Sequence, residues 1–207
     1  MPSLIITADD YGYAPSYDAG IAEAVRAGAI DSVSAMVMRY EPDPGQLDGA
    51  GVEVGLHLDP GAPLVVQLRA FEAIFGREPA YLDGHHHCHA RGRRAVEVAD
   101  LARHRGLPVR SVDARHRRLL RCKGVPTPDR LVGRLSERER PLPDEIRALR
   151  AGAGPEGVTE WMVHPGHAEP TAESAYDQGR DEDLRVLLAL AEDPQLRRVR
   201  TNHAALG

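Results

Sequence analysis

The chain has 207 residues, 42% of them hydrophobic and 4% aromatic, with a formal net charge of −5. No stretch approaches the run of about 18 apolar residues that a bilayer-spanning helix needs, and two cysteines, Cys88 and Cys122, are too few for a disulfide framework. The first ten residues lack a basic region and reach two carboxylates at once, so the expectation is one α/β domain over residues 1–207 in a reducing cytoplasm.

In chain order, residues 4–7 (Leu-Ile-Ile-Thr) predict a buried strand ending at Ala8-Asp9-Asp10. A helix follows from Ser16, as its cap, to about Ala27, with Gly28 as its stop. Residues 32–37 predict a second strand. Pro42, Pro44 and Gly45 then leave room only for a short helix before residue 50, and a third strand runs over 51–57. A helix over 67–75 and a strand over 80–83 lead into Gly84 and the run His85-His86-His87-Cys88-His89, which holds four of the ten histidines. Further elements are a helix over 95–105, a strand over 109–112, a helix over 143–151, a strand over 158–164, a helix over 181–191 and a last strand over 197–201. Residues 113–140 give no clear pattern. Alternating strands and helices predict a parallel sheet with helical crossovers, open or closed into a barrel of fewer units than the usual eight.

Charge is uneven. Residues 91–123 hold eleven Lys or Arg against three acids, a local excess of +8. Such a cluster can neutralise phosphates, but no aromatic interleaves the arginines to stack a base, so a solvated helix face followed by an Arg-rich loop is the preferred reading.

Acids and histidines gather at predicted strand ends. Asp9 and Asp10 end the first strand, His57 the third, Asp83 and His85 the fourth, and His164 a late one. In parallel α/β folds the C-terminal strand ends converge on one face, where reacting groups are recruited. Two consecutive carboxylates behind a buried strand are costly unless a metal, an arginine or a hydrogen-bond network receives their charge. One carboxylate and two imidazoles with open positions make a reasonable catalytic metal set, and a nearby carboxylate can take a proton from water. On a strand, His85, His87 and His89 would face one side and His86 and Cys88 the other, so one ligand from the run is expected and Cys88 is read as a packed thiol.

The blocks ITADDYGYAPSYDAGIAEAVRAGAIDSVSAMV, GLHLDPGAPL, YLDGHHHCHA and VHPGH, in that order and with Tyr176, Arg180 and Leu184 behind them, resemble the YdjC/ChbG carbohydrate deacetylases. The resemblance implies a single-domain distorted (β/α) barrel of the polysaccharide-deacetylase type and a hydrolase that removes acetate from N-acetylated sugars or short chitin-type oligosaccharides. It implies a divalent ion, Mg or Zn first and Mn, Ni or Co as compatible alternatives, on Asp10, His57 and His85. Asp9 would be the general base and His164 the general acid or an oxyanion stabiliser. Asp83 and His87 would orient the ligands, and Arg180 would hold a carboxylate. The expected partner is a small N-acetylated sugar, with no nucleic acid and no membrane. The connection over 58–82 is shorter than in many relatives, which bears on which sugar is taken, and the modest overall length allows a homodimer to complete the site. The competing readings are a metal-dependent hydrolase of another amide or a phosphoester, and a non-enzymatic metal- or nucleic-acid-binding protein.

Overall fold

The computed structural model describes residues 1–48, 51–133 and 142–207. Six strands, β1 (Pro2–Tyr11), β2 (Ser32–Ala35), β3 (Glu53–Leu58), β4 (Leu82–Gly84), β5 (Arg130–Val132) and β6 (Gly157–Val163), form one sheet in the order β4-β3-β2-β1-β6-β5. Every strand pairing in it is parallel. The helices are α1 (Pro15–Arg26), α2 (Leu64–Phe75), α3 (Gly92–Arg105), α4 (Ala114–Cys122), α5 (Asp144–Arg150), α6 (Arg180–Leu190) and the short α7 (Pro194–Arg197). None of the described helices is long and apolar enough to cross a membrane.

The sheet curls until its two edges are linked. At the β4 edge Leu82 N–H donates to Pro108 O at 3.0 Å and Arg110 N–H to Leu82 O at 3.1 Å, while Val109 N–H donates to Pro126 O at 2.9 Å. The segment leaving Pro126 becomes β5, which pairs with β6. The result is a distorted (β/α) barrel. Its outer layer follows from the strand period of two: Leu4, Ile6, Ala8, Val33, Ala35, Val54, Leu56, Leu58, Val109, Trp161 and Val163 are buried in one apolar cluster with the helices. The alternate positions, including Ile5, Thr7, Asp9, Ser34, His57, Asp83 and Glu160, are buried too and turn the other way, so the barrel interior is polar.

Several expectations need correction. The strand over 109–112 is reduced to a single parallel bridge between Leu82 and Val109, and the one over 197–201 to a bridge between Leu4 and Arg200 after α7. Both are segments whose neighbours bond them on only a few atoms. Ser16 does not cap α1: Ala14 is the cap, Pro15 opens the helix, and the Ser16 hydroxyl donates to Glu169 instead. The histidine run is a 3-10 turn over His85–Ala90, with His86 and His87 at φ 50° and 57°, so strand alternation does not govern which rings share a side. Within 113–140, Asp113 caps α4 by accepting from His116 N–H at 2.7 Å, β5 follows, and residues 134–140 lie outside the described part.

Gly55 shows how tightly the interior is filled, because a Cβ there would overlap the ring of Tyr81. Gly55→Ala should therefore destabilise the protein by about 1–3 kcal/mol, read as a lower urea midpoint with an unchanged slope.

Candidate metal and catalytic centre

The C-terminal end of β1 departs from regular geometry. Pairing with β2 shifts register between Ala8 and Tyr11, and Asp10 takes φ 74°, a left-handed conformation uncommon outside glycine. In a regular strand consecutive side chains face opposite sides. The irregularity re-aims Asp10, so both Asp9 and Asp10 line the same cavity.

The two carboxylates are held differently. Asp9 accepts two bonds from Arg110, from Nη1 and Nη2, each at 2.7 Å. Asp10 Oδ1 lies 2.9 Å from His85 Nδ1 and 3.4 Å from His57 Nε2, and its Oδ2 accepts from Arg180 Nη2 at 2.6 Å. His57 and Asp83 are register neighbours on β3 and β4, which puts their side chains on one side; His57 Nδ1 is 2.8 Å from Asp83 Oδ1. Asp83 Oδ2 in turn accepts from Ser34 Oγ at 2.6 Å and lies 2.9 Å from Arg110 Nη1. With its Nδ1 committed to a carboxylate, His57 is left with Nε2 toward Asp10.

His164 follows β6. Its backbone N–H donates to Asp183 Oδ2 at 2.8 Å, and its ring packs edge-on against Tyr176, 5.6 Å between centroids. The turn carrying it approaches α1 closely: a Cβ on Gly20 would overlap the backbone of Gly166, and His167 N–H donates to Ser16 O at 3.2 Å. Arg180, the first residue of α6, is buried with its guanidinium 3.6 Å over the ring of Tyr17. A cavity of about 300 Å³ opens over this group, and His86, His87, Arg91 and Tyr176 complete its walls.

Electrostatics follow from burial and pairing. Burial alone would raise the Asp9 carboxyl, but the charges of Arg110 and His57 hold it well below the usual range. Asp10 is likewise held down against burial by its bonds to His57 and His85 and by the charge of Arg180. Burial disfavours a charged His57, yet Asp83, Asp9 and Asp10 raise its imidazole well above the ordinary value.

The structure thus brings Asp9, Asp10, His57, Asp83, His85, His87, His164 and Arg180 to one cavity or its immediate support. Donor atoms of Asp10, His57 and His85 lie within 4.8 Å of one another, as do those of Asp9, His57 and Asp83. The second set has both carboxylates bound to Arg110; the first faces the cavity. The donor chemistry fits a divalent cation. One carboxylate, Asp10, beside the imidazoles of His57 and His85 is a mixed oxygen and nitrogen set of the kind a divalent ion takes. The other run histidine, His89, turns away, with Nε2 3.1 Å from Arg110 O, and the Cys88 thiol donates to Leu58 O at 3.1 Å.

Arg110 is the residue that sequence reasoning missed, because it was counted with the arginines over 91–123, most of which are exposed on α3 and α4. A signal was present: Arg110 alternates with Val109 and Ser111 in a short β-prone segment, where a side chain facing opposite to a buried valine points to a barrel interior.

The fold and site define a parallel (β/α)-barrel protein with an acid–histidine centre at the C-terminal ends of its strands. The chain belongs to the YdjC-like protein family, whose model matches residues 3–59 and 62–199. It is similar to a chitooligosaccharide deacetylase of Enterobacter sp. (strain 638), 28% identical over 228 residues that cover 89% of this chain and 90% of that one. The match to the chitooligosaccharide deacetylase of Salmonella paratyphi B is 29% identical and covers 52% of this chain and 58% of that one. Among solved structures, a putative cellobiose-phosphate cleavage protein from Enterococcus faecalis V583 shares the fold, with a TM-score of 0.82 at 22% identity over 99% of this chain and 98% of that one.

Arg110→Met would strand three buried carboxylates and should cost about 3–5 kcal/mol. In the native protein Asp9 and Glu160 sit below their unfolded values, so their stabilisation is complete above about pH 5 and is lost as pH falls through the unfolded toward the folded values. The variant's deficit should therefore be largest at neutral pH and shrink on acidification, which denaturant titrations at pH 7 and pH 4 will measure.

Proposed function

We propose that this chain is a divalent-metal-dependent carbohydrate deacetylase acting on small N-acetylated sugars of the chitooligosaccharide type. The observation that carries this reading is the pair of consecutive carboxylates turned to one cavity and differently held, Asp9 by Arg110 and Asp10 by two imidazoles and Arg180. The names of the curated relatives supply the substrate class.

In this reading Asp10, His57 and His85 hold the ion. When bound, it polarises the acyl oxygen and makes a water more acidic. Asp9 takes the proton of the attacking water. Arg110 keeps Asp9 ionised throughout the neutral range, which is the form a base needs, and occupies only part of the carboxylate's accepting capacity. His164, on the wall contributed by the segment after β6, gives a proton to the departing amine. An imidazole suits that step because its ordinary pKa lies near neutrality, whereas Asp9 is held far below it. Asp83 fixes the His57 ring, Arg180 fixes Asp10, and His86, His87 and Tyr176 shape the space a sugar would fill.

Asp9→Asn keeps the shape of the base and removes its charge, so divalent-ion content should stay within about twofold of wild type while kcat falls by about 10²–10⁴-fold. Asp10→Ala should lose the ion and the activity together. The test is acetate release from N-acetylglucosamine oligomers, with and without chelator, alongside metal analysis and a chromogenic phosphate ester as control substrate. Full activity of Asp9→Asn, or turnover of the phosphate ester alone, would overturn the reading.

A further inference from the structure

A second polar cluster fills the opposite end of the barrel, at the starts of β2 and β3, and the proposed chemistry uses none of it. Its centre is His203, completely buried, with its ring flat against Tyr81 at 3.7 Å between centroids and 12° between planes. His203 Nδ1 lies 3.2 Å from both Glu53 Oε2 and Ser32 Oγ, and Nε2, which makes no hydrogen bond, faces Glu160 Oε1 at 3.6 Å, within ion-pair range. Glu53 also accepts from the backbone N–H of His203 at 2.7 Å and of Ala204 at 3.0 Å, so the 3-10 turn His203–Leu206 is fastened in place.

From there a line of alternating charge runs up the interior: Glu53, His203, Glu160, Arg110, Asp9. Glu160 Oε1 accepts from Arg110 Nε at 2.8 Å, and the other edge of the same guanidinium grips both oxygens of Asp9. A guanidinium is rigid and planar, so a contact at Nε fixes how its Nη atoms meet a carboxylate on the far side. In a buried network, removing one charge leaves its neighbour uncompensated and free to seek another arrangement. Burial would raise the Glu160 carboxyl, but Arg110 and His203 hold it down to about 2. Burial would likewise keep His203 neutral, but Glu160 and Glu53 raise its imidazole above the ordinary value.

We propose that His203 is a positioning residue for the reaction: from the far end of the barrel it holds Glu160, which sets the plane of Arg110 and through it the two oxygens of Asp9. The kinetic consequence rests on the deacetylase reading; the structural one does not. His203 touches none of Asp10, His57 or His85 and reaches them only through Arg110, Asp83 and His57, so its loss should act mainly on the chemical step and affect ion binding little.

The experiment compares wild type with His203→Phe, which keeps the ring stack on Tyr81 and removes the charge, with His203→Gln, which restores one donor, with Glu160→Gln, and with the Phe/Gln double variant. Hydrogen exchange of the Arg110 Nε–H resonance reports the guanidinium directly. The Phe variant should show exchange at least about tenfold faster, kcat lower by at least about tenfold, and KM and divalent-ion Kd within about twofold of wild type. The Gln variant should recover a substantial part of both losses, and the double variant should be no slower than Glu160→Gln alone, because the two residues act in series. Unchanged exchange and kcat in a folded Phe variant, or losses that multiply in the double variant, would overturn the proposal. If the Phe variant fails to fold, His203→Leu, which restores no donor, decides: faster exchange supports the proposal, wild-type exchange and kcat overturn it. Absence of acetate release from wild type would sink the functional reading instead, and the exchange measurement would still decide the positioning.

Discussion

Arg110 is the cation around which the barrel interior is arranged. Its guanidinium reaches Asp9 on β1, Glu160 on the neighbouring strand β6, and Asp83 on β4 at the edge of the sheet. Its charge is the largest influence that holds Asp9 and Glu160 ionised against burial. The backbone of Arg110 does structural work as well, since its N–H bonds Leu82 O where the curled sheet meets the segment that leads to β5. One residue thus links barrel closure to the charge state of the centre.

The site is built outward from that link. Asp83 passes the constraint to His57, and His57 with His85 and Arg180 fixes Asp10. The small residues beside it serve close approach: Gly20 and Gly166 let α1 and the His164 turn meet backbone to backbone. Strain is concentrated at the same place, in the left-handed backbone of Asp10, His86 and His87, all of which line the cavity. Tight packing elsewhere, such as Tyr81 over Gly55, is what can hold such conformations.

Much of the strand layer was legible because β1, β2, β3 and β6 are β-branched or apolar runs of ordinary length, and their ends carried the acids and histidines that meet at the cavity. The helices α2, α3, α5 and α6 were legible from period and from their glycine or proline boundaries, to within a few residues. What failed to read were segments whose structure depends on distant atoms. The bridges at Val109 and Arg200 have too few bonds to be strands, and the histidine run resembles a strand end until the chain is seen to turn there. His203 gave no signal at all, because a lone histidine near a polar, Arg-rich stretch is featureless until Glu53, Glu160 and Tyr81 close around it.

The sequence by itself determined the parallel α/β architecture and the residue types at the strand ends, because hydrophobic periodicity and chain punctuation are local properties. It carried the pair Asp9-Asp10, the separate histidines His57, His85 and His164, and the arginine at position 180. Only the tertiary structure decided which charge meets which. That Asp9 belongs to Arg110 and Asp10 to Arg180, that His57 is set by Asp83, and that the interior is charged from Glu53 to Asp9 all follow from the curl of the sheet. Ion pairing in a dry interior depends on contacts of a few ångströms between residues up to 170 positions apart, and no local pattern encodes them.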